Sequence, residues 1–329
     1  VLDNIKSSFS AKNGLISRIA TFEEDSGLPL NLANFVDYYH LDIRTIFSRA
    51  SFSRLCVSSG VREDFEEALE ETITKALKRI CAIDSRRWIA FLLDILPRLE
   101  KVDLNRLSPI QQRMFQMFYI TVWQKAIEDW ESEEVKGNLA LLSRNPVMLE
   151  EMMGLLRYNF DRIDFIDEPV NLGFESPLDL HCTYTRDQLL VAMDHMNPSN
   201  VREGVKWLPE KKIDVLFVTL NKADKDYSPT TMYNDYSINE TLFHWQSQST
   251  TGDHASTGQR YIKHRERGSN VLLFVREFKN DRIGAAPYTF LGLANYVQHV
   301  GSKPMNITWK LERPIPARFL KKTNKLVVG

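Results

Sequence analysis

The chain is short of cysteine, of long apolar runs and of the compact motifs that mark most hydrolases. Cys56, Cys81 and Cys182 are the only cysteines in 329 residues, and no CxxC pair occurs. A disulfide-stapled secreted scaffold is therefore excluded, and a reducing, cytoplasmic setting is expected. No stretch approaches the roughly 18 consecutive apolar residues of a membrane span, and the first residues lack the charged-then-apolar order of a signal peptide. No membrane partner is expected. The sequence opens at Val1 rather than at Met, which points to a piece of a longer polypeptide. It contains no GxxxxGK[ST] phosphate loop, no HxKx4D pair, no GxSxG elbow and no HExxH helix. The seven histidines, at 40, 181, 195, 244, 254, 264 and 299, fall into no ligand spacing. No catalytic residue and no metal site are expected.

What is present is an ordinary globular composition, 43% hydrophobic, with length enough for two domains. Charge divides sharply along it. Of 42 Lys+Arg and 43 Asp+Glu, residues after 200 hold 20 and 12, leaving 22 and 31 before them. The C-terminal part suits phosphates and the N-terminal part does not.

Helical periodicity dominates the first 160 residues. In 61–80, "VREDFEEALEETITKALKRI", Phe65, Leu69, Ile73, Leu77 and Ile80 recur at three- and four-residue steps, acids early and bases late. That spacing predicts one amphipathic helix. Further helices are expected at 32–40, 86–98, 109–130 and 133–157, the third with Ser108 as N-cap and Pro109 in its first turn. Breaker residues collect after 165, and a capped helix is expected at 185–196. Beyond it, 215–220, 241–248, 270–278, 288–300 and 306–314 are β-branched and aromatic runs bounded by Gly, Pro, Asn and Asp. The expected fold is α+β: an N-terminal all-α helical bundle over 1–170, then a small barrel or strongly curved sheet over 171–329.

The stretch 227–248, "YSPTTMYNDYSINETLFHWQSQ", sets tyrosines and amides around one carboxylate, Asp235. Alternation along its last strand puts Phe243, Trp245 and Ser247 on one face and His244, Gln246 and Gln248 on the other. An unstacked nucleobase needs flat walls and a few hydrogen-bonding groups, which Tyr227, Tyr233, Tyr236 and Asp235 would supply. Equally, these residues would make a turn with its tyrosines packed down and Asp235 capping backbone N–H groups. The next segment, 256–270, reads as a glycine-bounded basic loop or hairpin with Arg260, Lys263, His264, Arg265 and Arg267. Glu277-Phe278-Lys279 on a strand, with Asp235 or Asp253, leaves open a Mg2+-dependent nuclease, although a solvated ion pair accounts for the tripeptide equally well.

The segments "HCTYTRDQLL", "REGV", "SPTTMYNDYSI", "LFHWQSQ" and "FLGLANYVQHVGSKPMNITWKLERPIPARFL" resemble the C-terminal domain that follows a superfamily II helicase in SauUSI-like Type IV modification-dependent restriction enzymes. The helical part, with "GLPLNLANFVDYYHLDI", resembles the connector of the same enzymes. The resemblance implies an SRA- or PUA-like barrel that reads double-stranded DNA containing 5-methylcytosine or 5-hydroxymethylcytosine. It implies helicase and nuclease domains elsewhere on the same polypeptide as partners. ATP and Mg2+ would serve that parent enzyme, and no cofactor would serve this part. Chemistry then assigns Tyr227, Tyr233 and Tyr236 as walls, Asp235 as acceptor for the cytosine amine, and Thr230 and Gln246 as edge contacts. Arg260, Lys263, His264, Arg265 and Arg276 become phosphate contacts. A protein-docking module built on the acidic helical half is the remaining alternative.

Overall fold

A computed structural model describes residues 11–221 and 235–323. Among the described residues the chain is α+β, with twelve α-helices and an eight-stranded, mostly antiparallel sheet that does not close. It divides into two units, one running to Phe165 and the other beginning at Ile166, with Arg282–Gly284 counted in the first. Among the described residues no helix is long and apolar enough to cross a membrane.

The first unit carries α1 (Lys12–Ser26), α2 (Leu32–Tyr38), α3 (Ile43–Phe47), α4 (Phe52–Ser58), α5 (Glu70–Ile80), α6 (Arg86–Ile95), α7 (Pro109–Trp123), α8 (Glu133–Ser143) and α9 (Pro146–Asp161). Three of them correct the periodicity. The helix expected over 61–80 starts only at Glu70, because the acids before it bind elsewhere. The Glu67 carboxylate accepts the backbone N–H groups of Val147 (2.7 Å) and Met148 (3.0 Å), filling the open donors at the start of α9. Asp64 and Glu70 both take the Arg54 guanidinium, which lies 4.5 Å from the Phe65 ring centroid. The run expected over 133–157 breaks at Asn145–Pro146, where proline opens a new helix. The run from 109 stops at Trp123, with Gln124 in a left-handed conformation. Its start is as expected: Ser108 and Gln111 cap each other's backbone N–H.

The second unit contains β1 (Glu168–Pro169), β2 (Asp179–Leu180), β3 (Thr183–Tyr184), α10 (Arg186–Ala192), β4 (Val205–Leu208), β5 (Ile213–Asn221), β6 (Tyr236–Ser237) and β7 (Leu242–Gln246). It continues with α11 (Ser256–Ile262), β8 (Asn270–Phe278), β9 (Asn280–Asp281), β10 (Gly284–Ala285), β11 (Tyr288–Val300), β12 (Asn306–Leu311) and α12 (Ala317–Thr323). The main sheet runs β4-β5-β8-β11-β12-β7-β6, with β3 added beside β11. Among the described strands only β5 and β8 are parallel, and both are apolar almost throughout, as strands covered on two faces must be. One face of the sheet buries Leu216, Val218, Leu273, Phe243, Trp245, Ile307 and Trp309 together with Tyr261 of α11. Segment 256–270, expected as a loop or hairpin, therefore begins as a helix that seats Tyr261 edge-on against Trp245, ring centroids 5.4 Å apart. The helix approaches so closely that a Cβ on Gly258 would stand 2.1 Å from the Gly252 carbonyl oxygen.

His181 turns the chain between β2 and β3 with φ +66°, its N–H bonded to the Phe290 carbonyl at 2.8 Å. Its Nε2 is buried with no hydrogen-bond partner among the described residues. Burial, reinforced by Arg318 and Arg313, pushes its pKa down to about 4. An unfolded histidine takes its proton near 6.5, so the stability tied to neutral His181 is complete above about pH 6.5 and is lost as pH falls from there towards 4. Thermal melts across that window are expected to fall more steeply for the wild type than for His181→Asn, which tolerates the same backbone. Parallel curves would remove His181 from the acid response.

Candidate nucleic-acid interface

The sheet's second face, opposite the Trp245–Trp309 core, is polar where β6, β7, β12 and β11 meet. Alternation explains it. Phe243 and Trp245 point to the core, as expected, and His244 and Gln246 point away, half-buried. On β12 the same period buries Ile307, Trp309 and Leu311 and turns Asn306, Thr308 and Lys310 outward. Register then sets the outward residues side by side. Tyr236 stands opposite His244, Asn306 opposite Gln246, Thr308 opposite His244 and Gln298 opposite Thr308. The Tyr236 and His244 rings stack with centroids 4.7 Å apart and planes inclined by 14°. The result is one aromatic platform bordered by three amides, a hydroxyl and the exposed ammonium of Lys310.

Asp235 introduces β6 and is only 5% exposed. Its Oδ1 accepts the backbone N–H of Gln246 at 2.9 Å, tying the entry of the edge strand to the far end of β7. Of the two roles weighed for this carboxylate, backbone capping is the one its geometry displays. Tyr227, Thr230 and Tyr233 lie outside the described residues.

The basic residues do not gather beside that platform. Arg260 gives its guanidinium to Asp214, Nε to Oδ2 at 2.7 Å and Nη2 to Oδ1 at 2.9 Å, and lies 4.4 Å from the Trp207 ring centroid. His264 is buried, and its ring bonds the Ser269 carbonyl through Nδ1 (3.1 Å) while Nε2 accepts the Tyr296 N–H (3.0 Å). That pairing fixes the neutral tautomer with the proton on Nδ1, and burial lowers the pKa further. His264 is thus no phosphate contact, a correction to the expectation from local charge. Arg276 donates to the Thr219 hydroxyl (2.9 Å) and the Ala286 carbonyl (3.1 Å), and stacks over Tyr288. Arg265 is exposed and donates to the Tyr296 carbonyl at 3.0 Å, and Lys263 is exposed. Both follow α11, which covers the core face and so lies across the sheet from the Tyr236–His244 stack.

The nuclease grouping built on Asp235 is not assembled either. Asp235 precedes β6 at one edge, and Glu277 ends β8; β11, β12 and β7 stand between them in the ladder. At about 4.8 Å per strand, that is about 19 Å along the sheet, far beyond the span of a shared metal ion.

Asn306, Thr308, Gln298 and Lys310 were missed by reading the sequence for a site. Their alternation was visible in "NITWKL", but nothing local shows that this strand lies beside "LFHWQ". Residues 178–322 match the family described as Domain of unknown function (DUF3427). No curated protein matches the chain.

Proposed function

We propose that the second unit binds double-stranded DNA through the outward face of β6, β7, β12 and β11, and that it selects DNA containing 5-methylcytosine or 5-hydroxymethylcytosine. One observation carries the reading: the stacked Tyr236–His244 pair, bordered in register by Gln246, Asn306, Thr308 and Lys310. An aromatic platform supplies sequence-tolerant stacking, and carboxamides beside it supply paired donors and acceptors for base edges. The resemblance to Type IV restriction enzymes supports the choice of modified cytosine. In that setting this chain is the target-recognition part, with an SRA-like role, and the helicase and nuclease belong to the rest of the polypeptide. Asp235 serves here by holding the Gln246 end of β7, and Lys310 is an exposed cation on that face available to phosphates.

Fluorescence anisotropy with matched duplexes carrying cytosine, 5-methylcytosine or 5-hydroxymethylcytosine tests the reading. Binding is expected to prefer the modified duplexes modestly, because one buried methyl contributes about 0.8 kcal/mol. Tyr236→Ala is expected to weaken binding by about 1–3 kcal/mol, the usual worth of one stacked base, with an unchanged circular dichroism spectrum. Failure to bind any duplex sinks the proposal and returns the docking-module alternative. Nicking of plasmid with Mg2+ would return the nuclease.

A further inference from the structure

We propose that Asp167, Asp179 and Cys182 form a site for a divalent transition-metal ion of the zinc class. Their donor atoms, one oxygen from each carboxylate and the Cys182 sulfur, all lie within 4.8 Å of one another. Asp179 is 1% exposed and Cys182 is 0% exposed, with Asp167 half-buried beside them. Acidic groups this close and this sheltered from water oppose one another's ionisation, and a shared cation removes that cost.

Local backbone geometry brings the three together. β1 and β2 pair with Pro169 opposite Asp179, and Asp167, two residues before Pro169, shares its face of the ladder. Both carboxylates therefore leave from the same side. Asp179–Cys182 is a tight turn: the Cys182 N–H donates to the Asp179 carbonyl at 3.2 Å, and His181 takes φ +66° at the third position. The turn folds the thiol back towards Asp179. It is pinned to β11 by two bonds, His181 N–H to the Phe290 carbonyl at 2.8 Å and Phe290 N–H to the Cys182 carbonyl at 2.9 Å. The Cys182 sulfur stands 4.0 Å from Asp167 Oδ2. With metal–sulfur and metal–oxygen distances of about 2.3 and 2.1 Å, two ligands of one ion stand about 3.6 Å apart at the tetrahedral angle and about 4.0 Å apart at about 130°. A second observation is independent of that spacing. Asp179 is anchored by its backbone N–H, which donates to Tyr184 Oη at 2.8 Å, while its Oδ1 is buried and accepts no hydrogen bond among the described residues. A buried carboxylate oxygen in that state is what a bound ion satisfies. Three protein donors leave a vertex for water. Histidine spacing could not reveal this set, because it contains no histidine.

Isothermal titration of zinc chloride into the chelator-treated chain tests the site, with cobalt(II) absorption and thermal melts as further readings. One ion per chain is expected, with a thiolate-to-cobalt charge-transfer band that disappears in Cys182→Ala and a melting temperature that zinc raises only while the site is intact. Loss of an outer-shell partner alone weakens metal binding about 10–100-fold, so Asp179→Asn and Cys182→Ala, which remove ligands, are expected to lose at least about tenfold. Asp167→Ala, at the half-buried corner, gives the same reading from outside the turn, should either buried variant fail to fold. No zinc uptake, or a cobalt spectrum without the charge-transfer band, would overturn the proposal. Affinity unchanged in Asp167→Ala, with circular dichroism confirming its fold, would mean an adventitious ion only.

Discussion

Arg260→Ala is expected to destabilise the strand unit by about 3–5 kcal/mol, read from urea unfolding of the purified variant. Asp214 is 0% exposed on β5, and the Arg260 guanidinium is the cation held against it by two hydrogen bonds. Trp207, opposite Asp214 on β4, covers the guanidinium from one side. Removing the arginine leaves a carboxylate in an apolar layer, where burial already pushes its pKa up and Arg260 alone draws it back. The penalty is therefore expected to shrink as pH falls, because a protonated Asp214 no longer needs its partner. A paired change to Asp214→Leu and Arg260→Met is expected to recover most of the loss, since well-packed apolar pairs replace buried ion pairs at little cost. A single-variant loss below about 1 kcal/mol would show that the pair is not holding the layer together. The same numbers bear on DNA binding. Affinity lost in Arg260→Ala would report a damaged fold, so Lys310→Ala, on an exposed side chain of the outward face, is the proper probe of phosphate contact.

Trp309→Ala should be as damaging, at about 3–5 kcal/mol. Trp309 is completely buried on β12, its ring within 6.0–6.3 Å of Trp245, Tyr261, His264 and Tyr296. It fills the junction where α11 meets the sheet, ringed by four aromatic side chains. Phenylalanine is the informative contrast. Trp309 Nε1 is buried without a hydrogen-bond partner among the described residues, so Trp309→Phe removes an unsatisfied donor along with some volume. It is expected to cost clearly less than alanine. Equal losses in the two variants would mean that a phenyl ring recovers none of the packing and that the whole indole is needed.

How far the sequence could be read depended on where each residue's partner lies. Strands β8 and β11 were read to the residue, because a buried apolar run between Asn270 and Phe278, or Tyr288 and Val300, is a local signal. The starts of α7 and α10 were equally legible, since Ser108 with Gln111 and Thr185 with Gln188 cap within one turn. Residues 61–69 failed for the opposite reason. Glu67 looks like a helix-opening acid until Val147 and Met148 claim it from the far side of the bundle sequence. Arg260 and Lys263 look alike in a charge run, yet a buried aspartate 46 positions away separates a structural cation from a solvated one. The outward face was half legible: alternation assigned His244 and Gln246, while their neighbours on β12 depend on a register no local pattern encodes.

The open sheet bears on how the molecule avoids its own kind. A closed barrel hides every unpaired backbone group, whereas an open ladder leaves two rims to which a second chain can add a strand. Among the described residues the rims are β6, two residues long, and β4, four residues long. The β4 rim carries Lys206 and is followed at once by Pro209, which has no N–H to offer. Rims this short, charged and proline-ended give a docking strand too few hydrogen bonds to hold, so leaving the sheet open invites little edge-to-edge aggregation.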